Sequence, residues 1–242
     1  MPTVRSGPWF GVIVGLIGQV ALLVALAATV GLATAGWVVG LAYGSITFVV
    51  LTFGMHRTGV QEFGPADRVT LARATLVGCV AALVADSFDR RTSVAALVTI
   101  AAVALVLDAV DGHVARRTNT VSRLGARFDM EVDAFLILVL SVYVERSVGA
   151  WVLLIGAMRY AFVVAGWVWA WMRRPLPPRP WRKVVAATQG IVLVFAASDV
   201  LPRTLTVVAV AGALALLVES FGRDVLWLWC HRVIERRGLW TP

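Results

Sequence analysis

An all-α bundle of helices crossing a membrane several times is the fold that the sequence predicts, on three observations. Apolar residues make up 60% of the 242-residue chain, and the mean hydropathy is +0.84, above that of ordinary soluble domains. These residues gather into runs, several of them as long as the roughly 20 residues that cross a bilayer. Lys and Arg are concentrated in every second interval between the runs, the pattern of a polytopic membrane protein.

The runs can be taken in order. Trp9 to Ala35 and Val38 to Met55 each suffice for a span. The first is too long for the apolar region of a signal peptide, and no convincing cleavage site follows, so it is read as a retained span. Further apolar segments cover about 70–86, 93–111, 130–145, 149–172, 184–200 and 204–222, for an expected total of eight helices. Charge or turn signals separate them, as at Asp86-Ser-Phe-Asp-Arg-Arg91 and Ser198-Asp-Val-Leu-Pro-Arg203. The tail from Asp224 to Trp240 sets Leu226, Trp227, Trp229, Val233 and Ile234 among Arg and Glu, the pattern of an interfacial amphipathic helix.

With the N-terminus inside, one side of the membrane receives Arg57, Arg68, Arg73, Arg116, Arg117, Arg123, Arg127 and the loop Arg173 to Lys183. The other side holds Arg90, Arg91, Arg146 and Arg203. Both termini are therefore expected in the cytoplasm of a cell-membrane protein. The same sorting accounts for the net charge of +8 and a pI near 10.9 without nucleic acid as a partner, because the basic residues sit in short loops beside lipid. The Arg173–Lys183 loop is the densest patch; topology signalling and capture of a lipid or substrate phosphate explain it equally well. Cys79 and Cys230 fall where no structural disulfide is expected.

Four acids stand out against this apolar background. Asp108 and Asp111 lie three residues apart, and Asp129 and Asp133 four apart, so each pair occupies one helix face. Each pair adjoins an apolar run, Ile100–Leu107 before the first and Ala134–Leu140 after the second. Ionisable groups at the ends of membrane helices are costly and mark function by default. Two such helices side by side direct four carboxylates at one volume, and hard oxygen donors at that density suit Mg²⁺, Mn²⁺ or Ca²⁺. Arg159, within Gly156-Ala-Met-Arg159-Tyr160, is a basic residue deep in a span; a buried ion pair with a motif Asp and contact with an anionic acceptor explain it equally.

Asp108-Ala-Val-Asp111-Gly112-His-Val-Ala115-Arg116, followed by Gly125, Asp129 and Asp133, resembles the signature D-x2-D-G-x2-A-R-x8-G-x3-D-x3-D of the CDP-alcohol phosphotransferases and matches it at every fixed position. Upstream, Asp67-Arg-Val-Thr70-Leu-Ala-Arg73 resembles the family's N-x-x-T-x-x-R element, with Asp67 in the place of Asn. The resemblance implies a six-helix core at 65–222, so that the apolar runs before it form a transmembrane helix pair and linker at 1–64, and the amphipathic cytoplasmic tail is 223–242. It also implies a homodimer.

It further implies a Mg²⁺ site, Mn²⁺ being possible, with Asp108, Asp111 and Asp129 as ligands. Asp133 is implied as the base that deprotonates the acceptor alcohol, and as a contact of a second metal. Gly112 would admit the nucleotide between helices, and Arg116 would pair with the donor phosphate. Ser122, Thr70, Asp67 and Arg73 are the further substrate-binding candidates. The implied reaction takes a CDP-linked donor and an alcohol acceptor and releases CMP. In one branch the donor is CDP-diacylglycerol and the acceptor polar; in the other a CDP-linked head group reacts with diacylglycerol. The short, Arg-rich chain favours the first. Ala115-Arg-Arg-Thr-Asn-Thr120 resembles the choline and ethanolamine enzymes of the second.

Two other classes use intramembrane acids. Prenyltransferases place two acidic motifs on well-separated helices, unlike the single cluster here, and an ion-coupled transporter needs no Asp-Gly-x-x-Ala-Arg element.

Overall fold

The structure, a computed structural model, describes residues 10–58, 65–118, 123–174, 176–177 and 179–236; the side chains of 10, 65–66, 111–118, 123 and 233–236 lie outside the description. Among the described residues the chain is all-helical, as expected. The helices are α1 (Phe10–Thr29), α2 (Thr34–Thr58), α3 (Pro65–Asp86), α4 (Val94–Thr118), α5 (Arg123–Val148), α6 (Leu153–Val168), α7 (Pro180–Ala197) and α8 (Arg203–Arg236). By length and composition five of them can cross a membrane, namely α1, α2, α3, α8 and α6 with the short 3₁₀ turn before it. Helix α4 contributes the shorter apolar stretch Val94–Val110. The chain divides into two compact units, Met1–Val139 and Leu140–Pro242, and the division falls inside α5.

Helix α3 is the centre of the first unit and packs against α1, α2 and α4. In its apolar stretch 72% of residues are buried, against 22% in α1 and α2, so those two keep most of their surface for lipid. Small residues let the helices close up. A Cβ on Gly40 would lie 2.7 Å from Leu23 Cδ2, and one on Gly78 would lie 2.5 Å from Gln19 Nε2. Between α3 and α4 the seam on the α4 side is Leu97, Ala101 and Ala104, all fully buried, at the four-then-three spacing of one helix face.

At one end of this unit the tight connections share an acid. Helix α1 closes on Gly31, whose φ of +76° lies in the left-handed region, and Gly31 N–H donates back to Leu26 O at 3.1 Å. The first N–H groups of α2 then need acceptors. Asp86, fully buried at the end of α3, supplies them: Oδ2 accepts from Ala33 N and Oδ1 from Gly36 N, both at 2.8 Å. Arg90 neutralises Asp86, donating from Nε to Oδ2 at 3.1 Å, while its Nη2 donates to Gly31 O. One carboxylate thus caps α2, joins it to α3 and holds the turn before α4.

In the second unit α7 and α8 form the main pairing. The buried Gln189 donates from Nε2 to Ala213 O at 2.8 Å between them. At the start of α7, Arg182 grips Asp224 of α8 with two contacts of 2.8 Å. Arg173 caps α6, donating to Gly166 O at 2.7 Å and Trp167 O at 2.9 Å. Two cations of the Arg173–Lys183 patch therefore hold the fold together.

Two expectations change in detail. The single segment expected at 149–172 is broken: Gly149, at φ +125°, opens a 3₁₀ turn over Ala150–Val152, and the extended Trp169 ends α6 before a second turn at Ala170–Arg173. The separate tail helix expected from Asp224 is instead continuous with the last span, because α8 runs unbroken for 34 residues. The sequence there has no proline, a lone Gly222 costs only about 1 kcal/mol, and Asp224 is tied down by Arg182.

Removing the shared cap tests the first unit. Asp86→Ala orphans two helix N-terminal donors and a cation, and should cost on the order of 2 kcal/mol. Gly36→Ala should also destabilise, because its Cβ would lie 2.5 Å from Asp86 Oδ1. Both should lower the thermal unfolding midpoint of the detergent-solubilised protein.

Candidate functional site

The α3-facing stripe of α4 does not end with its apolar residues. Continuing the spacing from Leu97, Ala101 and Ala104 leads to Asp108, which faces α3 for the same geometric reason. In α5 the same logic runs in reverse: Asp129 and Asp133 begin a stripe that continues through the buried Leu136 and Leu140. Helix α3 answers with Arg73, which heads the buried row Val77, Val80 and Val84. The α3–α4 seam thus turns polar at one end, where Asp129 and Asp133 at the start of α5 meet Arg73.

The result is one guanidinium among three carboxylates. Arg73 is fully buried, and its Nη1 bonds to Asp108 Oδ1. Nη2 lies 2.7 Å from Asp129 Oδ1 and 2.9 Å from Asp133 Oδ1, and donates to the backbone carbonyl of Asp129 at 3.1 Å. The carboxylates are about one-third exposed, at 38%, 37% and 33%, so the cluster opens on one side. One oxygen from each of the three lies within 4.8 Å of the others. Three hard donors so close, carrying more negative charge than one Arg offsets, match what a small divalent cation requires.

Of the sequence candidates, Asp108, Asp129, Asp133 and Arg73 come together. Asp67 and Thr70 are buried on α3 in the turns before Arg73. Asp111, Gly112 and Arg116 lie in the last turns of α4, with side chains outside the description, and Ser122 falls outside the described residues. Sequence reasoning missed the bond from Arg73 to the carboxylates. The signal was present, since Arg73 lies inside a span and a buried cation there needs an anion.

A second feature was also missed. Leu124 and Phe128, four apart on α5 and just before Asp129, pack on a cluster of Val12 of α1, Leu51 and Met55 of α2, and Leu71 of α3. Gly54 of α2 gives Leu124 room, since a Cβ there would meet Leu124 Cδ1 at 2.6 Å. Farther along, Tyr43 of α2 stacks on Phe135, ring centres 4.8 Å apart. The N-terminal helix pair therefore buttresses the helix that carries Asp129 and Asp133.

An acid cluster thus stands at the end of buried helix seams, in a chain with several membrane-length helices. The chain belongs to the CDP-alcohol phosphatidyltransferase family, whose model matches residues 63–219, from the linker before α3 to well within α8. Comparisons with curated proteins and with solved structures give no match. The family's members transfer substituted phosphate groups in phospholipid synthesis, use CDP-alcohol substrates with membrane lipids, and are generally metal-dependent. The match runs from α3 through α7 into the first half of α8 and leaves the buttressing pair α1 and α2 outside it.

The charge balance makes a prediction. Asp108→Asn removes one of three mutually repelling carboxylates and should leave the metal-free unfolding temperature unchanged or raised. Arg73→Met leaves three acids facing one another and should cost about 2 kcal/mol. Thermal unfolding in chelator reads both.

Proposed function

We propose that this protein transfers a phosphatidyl group from CDP-diacylglycerol to a polar alcohol, releasing CMP, and that Mg²⁺ or Mn²⁺ supports the reaction. The observation that carries the reading is the meeting of Asp108, Asp129 and Asp133 at one open-sided volume, in a chain that belongs to this family.

The donor set fits a divalent ion. Asp108, Asp111 and Asp129 would hold it, with Asp133 beside them, and when bound it would neutralise the donor's phosphate oxygens and the charge of the departing CMP. The rest falls to the chain's own groups. Asp133 accepts the proton of the acceptor hydroxyl, having Asp129 and Asp108 as neighbours and solvent on its open side. The freed alcohol oxygen bonds to the lipid-side phosphorus as the bond from that phosphorus to the bridging oxygen breaks, and CMP leaves with the electron pair. Arg116 pairs with the donor phosphate, Gly112 leaves room for the nucleotide, and Ser122, Thr70 and Asp67 line its site. The Lys and Arg bias supports a cytoplasmic site in the cell membrane, where nucleotide-activated substrates are available. Family likeness supports a homodimer.

A second reading has its own support. Ala115-Arg-Arg-Thr-Asn-Thr120, with Leu124-Gly125 and Phe128-Asp129, resembles the enzymes that transfer phosphocholine or phosphoethanolamine from a CDP-alcohol to diacylglycerol.

The deciding experiment is CMP release by the purified protein in lipid with Mg²⁺. One arm supplies CDP-diacylglycerol and a pool of polar alcohols; the other supplies CDP-choline or CDP-ethanolamine with diacylglycerol. Release in the first arm, lost in chelator and in Asp129→Ala, is expected. Release in the second arm alone would favour the second reading, and silence in both from folded protein would overturn each. Asp133→Asn should lower turnover at least about 100-fold while retaining much of the donor affinity. Wild-type turnover in that variant would remove Asp133 as the base.

A further inference from the structure

The guanidinium of Arg73 sits on the same carboxylate oxygens that a divalent ion needs. Its two terminal nitrogens contact Oδ1 of Asp108, Asp129 and Asp133, and those side chains form the candidate metal cluster. Both cannot hold these oxygens together: an ion among them would meet a positive charge at van der Waals distance. A fully buried guanidinium that gave up three carboxylates would also need another anion, because an uncompensated buried charge is strongly destabilising. Two details equip Arg73 for the exchange. Its bond to the Asp129 backbone carbonyl does not involve the contested oxygens and can persist as a pivot. Its Nε is buried without a hydrogen-bond partner, so the guanidinium holds a donor in reserve.

We propose that Arg73 is an internal counter-ion that holds the metal site closed until the donor's diphosphate replaces the carboxylates as its partner, so that metal and nucleotide bind as a coupled pair. The inference rests on the reading of the cluster as a metal site for a CDP-linked donor. A diphosphate offers what the displaced fork requires, several anionic oxygens in one plane of approach. The exchange also has a catalytic consequence, since it frees Asp133 from the cation that would hold its electrons. Metal without nucleotide then binds weakly, and the base is uncovered only when a donor is present.

The test reads metal rather than product. Mn²⁺ binding to the purified protein in lipid discs is followed by the electron paramagnetic resonance of free Mn²⁺, alone, with cytidine and with CDP, after correction for Mn²⁺ bound by CDP in solution. In the wild type, CDP should tighten Mn²⁺ binding about tenfold or more and cytidine should not, the expected scale for one nearby charge moved from the metal to a diphosphate. In Arg73→Gln, Mn²⁺ alone should bind about tenfold tighter than to the wild type, and the CDP effect should shrink to about twofold. The sign is decisive: an Arg that only supports the site would leave the variant binding Mn²⁺ more weakly, and that result overturns the proposal. Should Arg73→Gln fail to fold, Arg73→Lys serves. Its single ammonium cannot span three carboxylates, so nucleotide-free Mn²⁺ affinity should still rise, and a fall would again overturn the proposal. CMP release with no such rise in either variant leaves the enzyme reading standing and removes this one. A rise without CMP release from any substrate does the reverse.

Discussion

A buried charge in an apolar helix has to be answered by geometry. Arg73 is fully buried within a largely apolar helix, and its answer comes from two other helices at once. That requirement fixes how α3, α4 and α5 are set against one another. The stripe of α4 must present Asp108 at the level of Arg73, and the start of α5 must bring Asp129 and Asp133 there as well. A rotation of either helix by one residue would move its acids about 100° away. The ion cluster is thus the register mark of the first unit.

The helices α1 and α2, which lie before the family match, are part of the same design. Their Val12, Leu51 and Met55 receive Leu124 and Phe128 in the turns just before Asp129. The position of Asp129 therefore depends on van der Waals packing by apolar residues of two other helices. Small residues on α2 make room for this packing, Gly36, Gly40 and Gly54 giving up side chains so that neighbours can approach.

Much of this was legible in the sequence because it is written in periodicity. The helices followed from apolar runs, and the pairing of acids on one face from spacings of three and four. Partners across helices were harder. Asp108 and Arg73 are 35 residues apart, and nothing local in either helix says which neighbour it will face. Arg159 stands alone deep in its apolar run, whereas Arg73 lies in a motif that already suggests a substrate-binding role for it. The continuity of α8 was hidden for a different reason. The change in composition near Asp224 marks a change of surroundings, and a helix can pass through such a change without breaking. Phe128 and Leu124 read as ordinary apolar positions until the cluster around them was seen.

The capping of α2 by Asp86 has a bearing on biogenesis. The acceptor for Gly36 N–H lies 50 residues later in the chain, so the α1–α2 hairpin cannot complete its own hydrogen bonding when it leaves the ribosome. At about 5–20 residues per second the missing carboxylate follows roughly 3–10 s later. In that interval the first amides of α2 need other acceptors, such as water or lipid head groups. The cap of α2 is thus completed only by the helix that also carries Arg73.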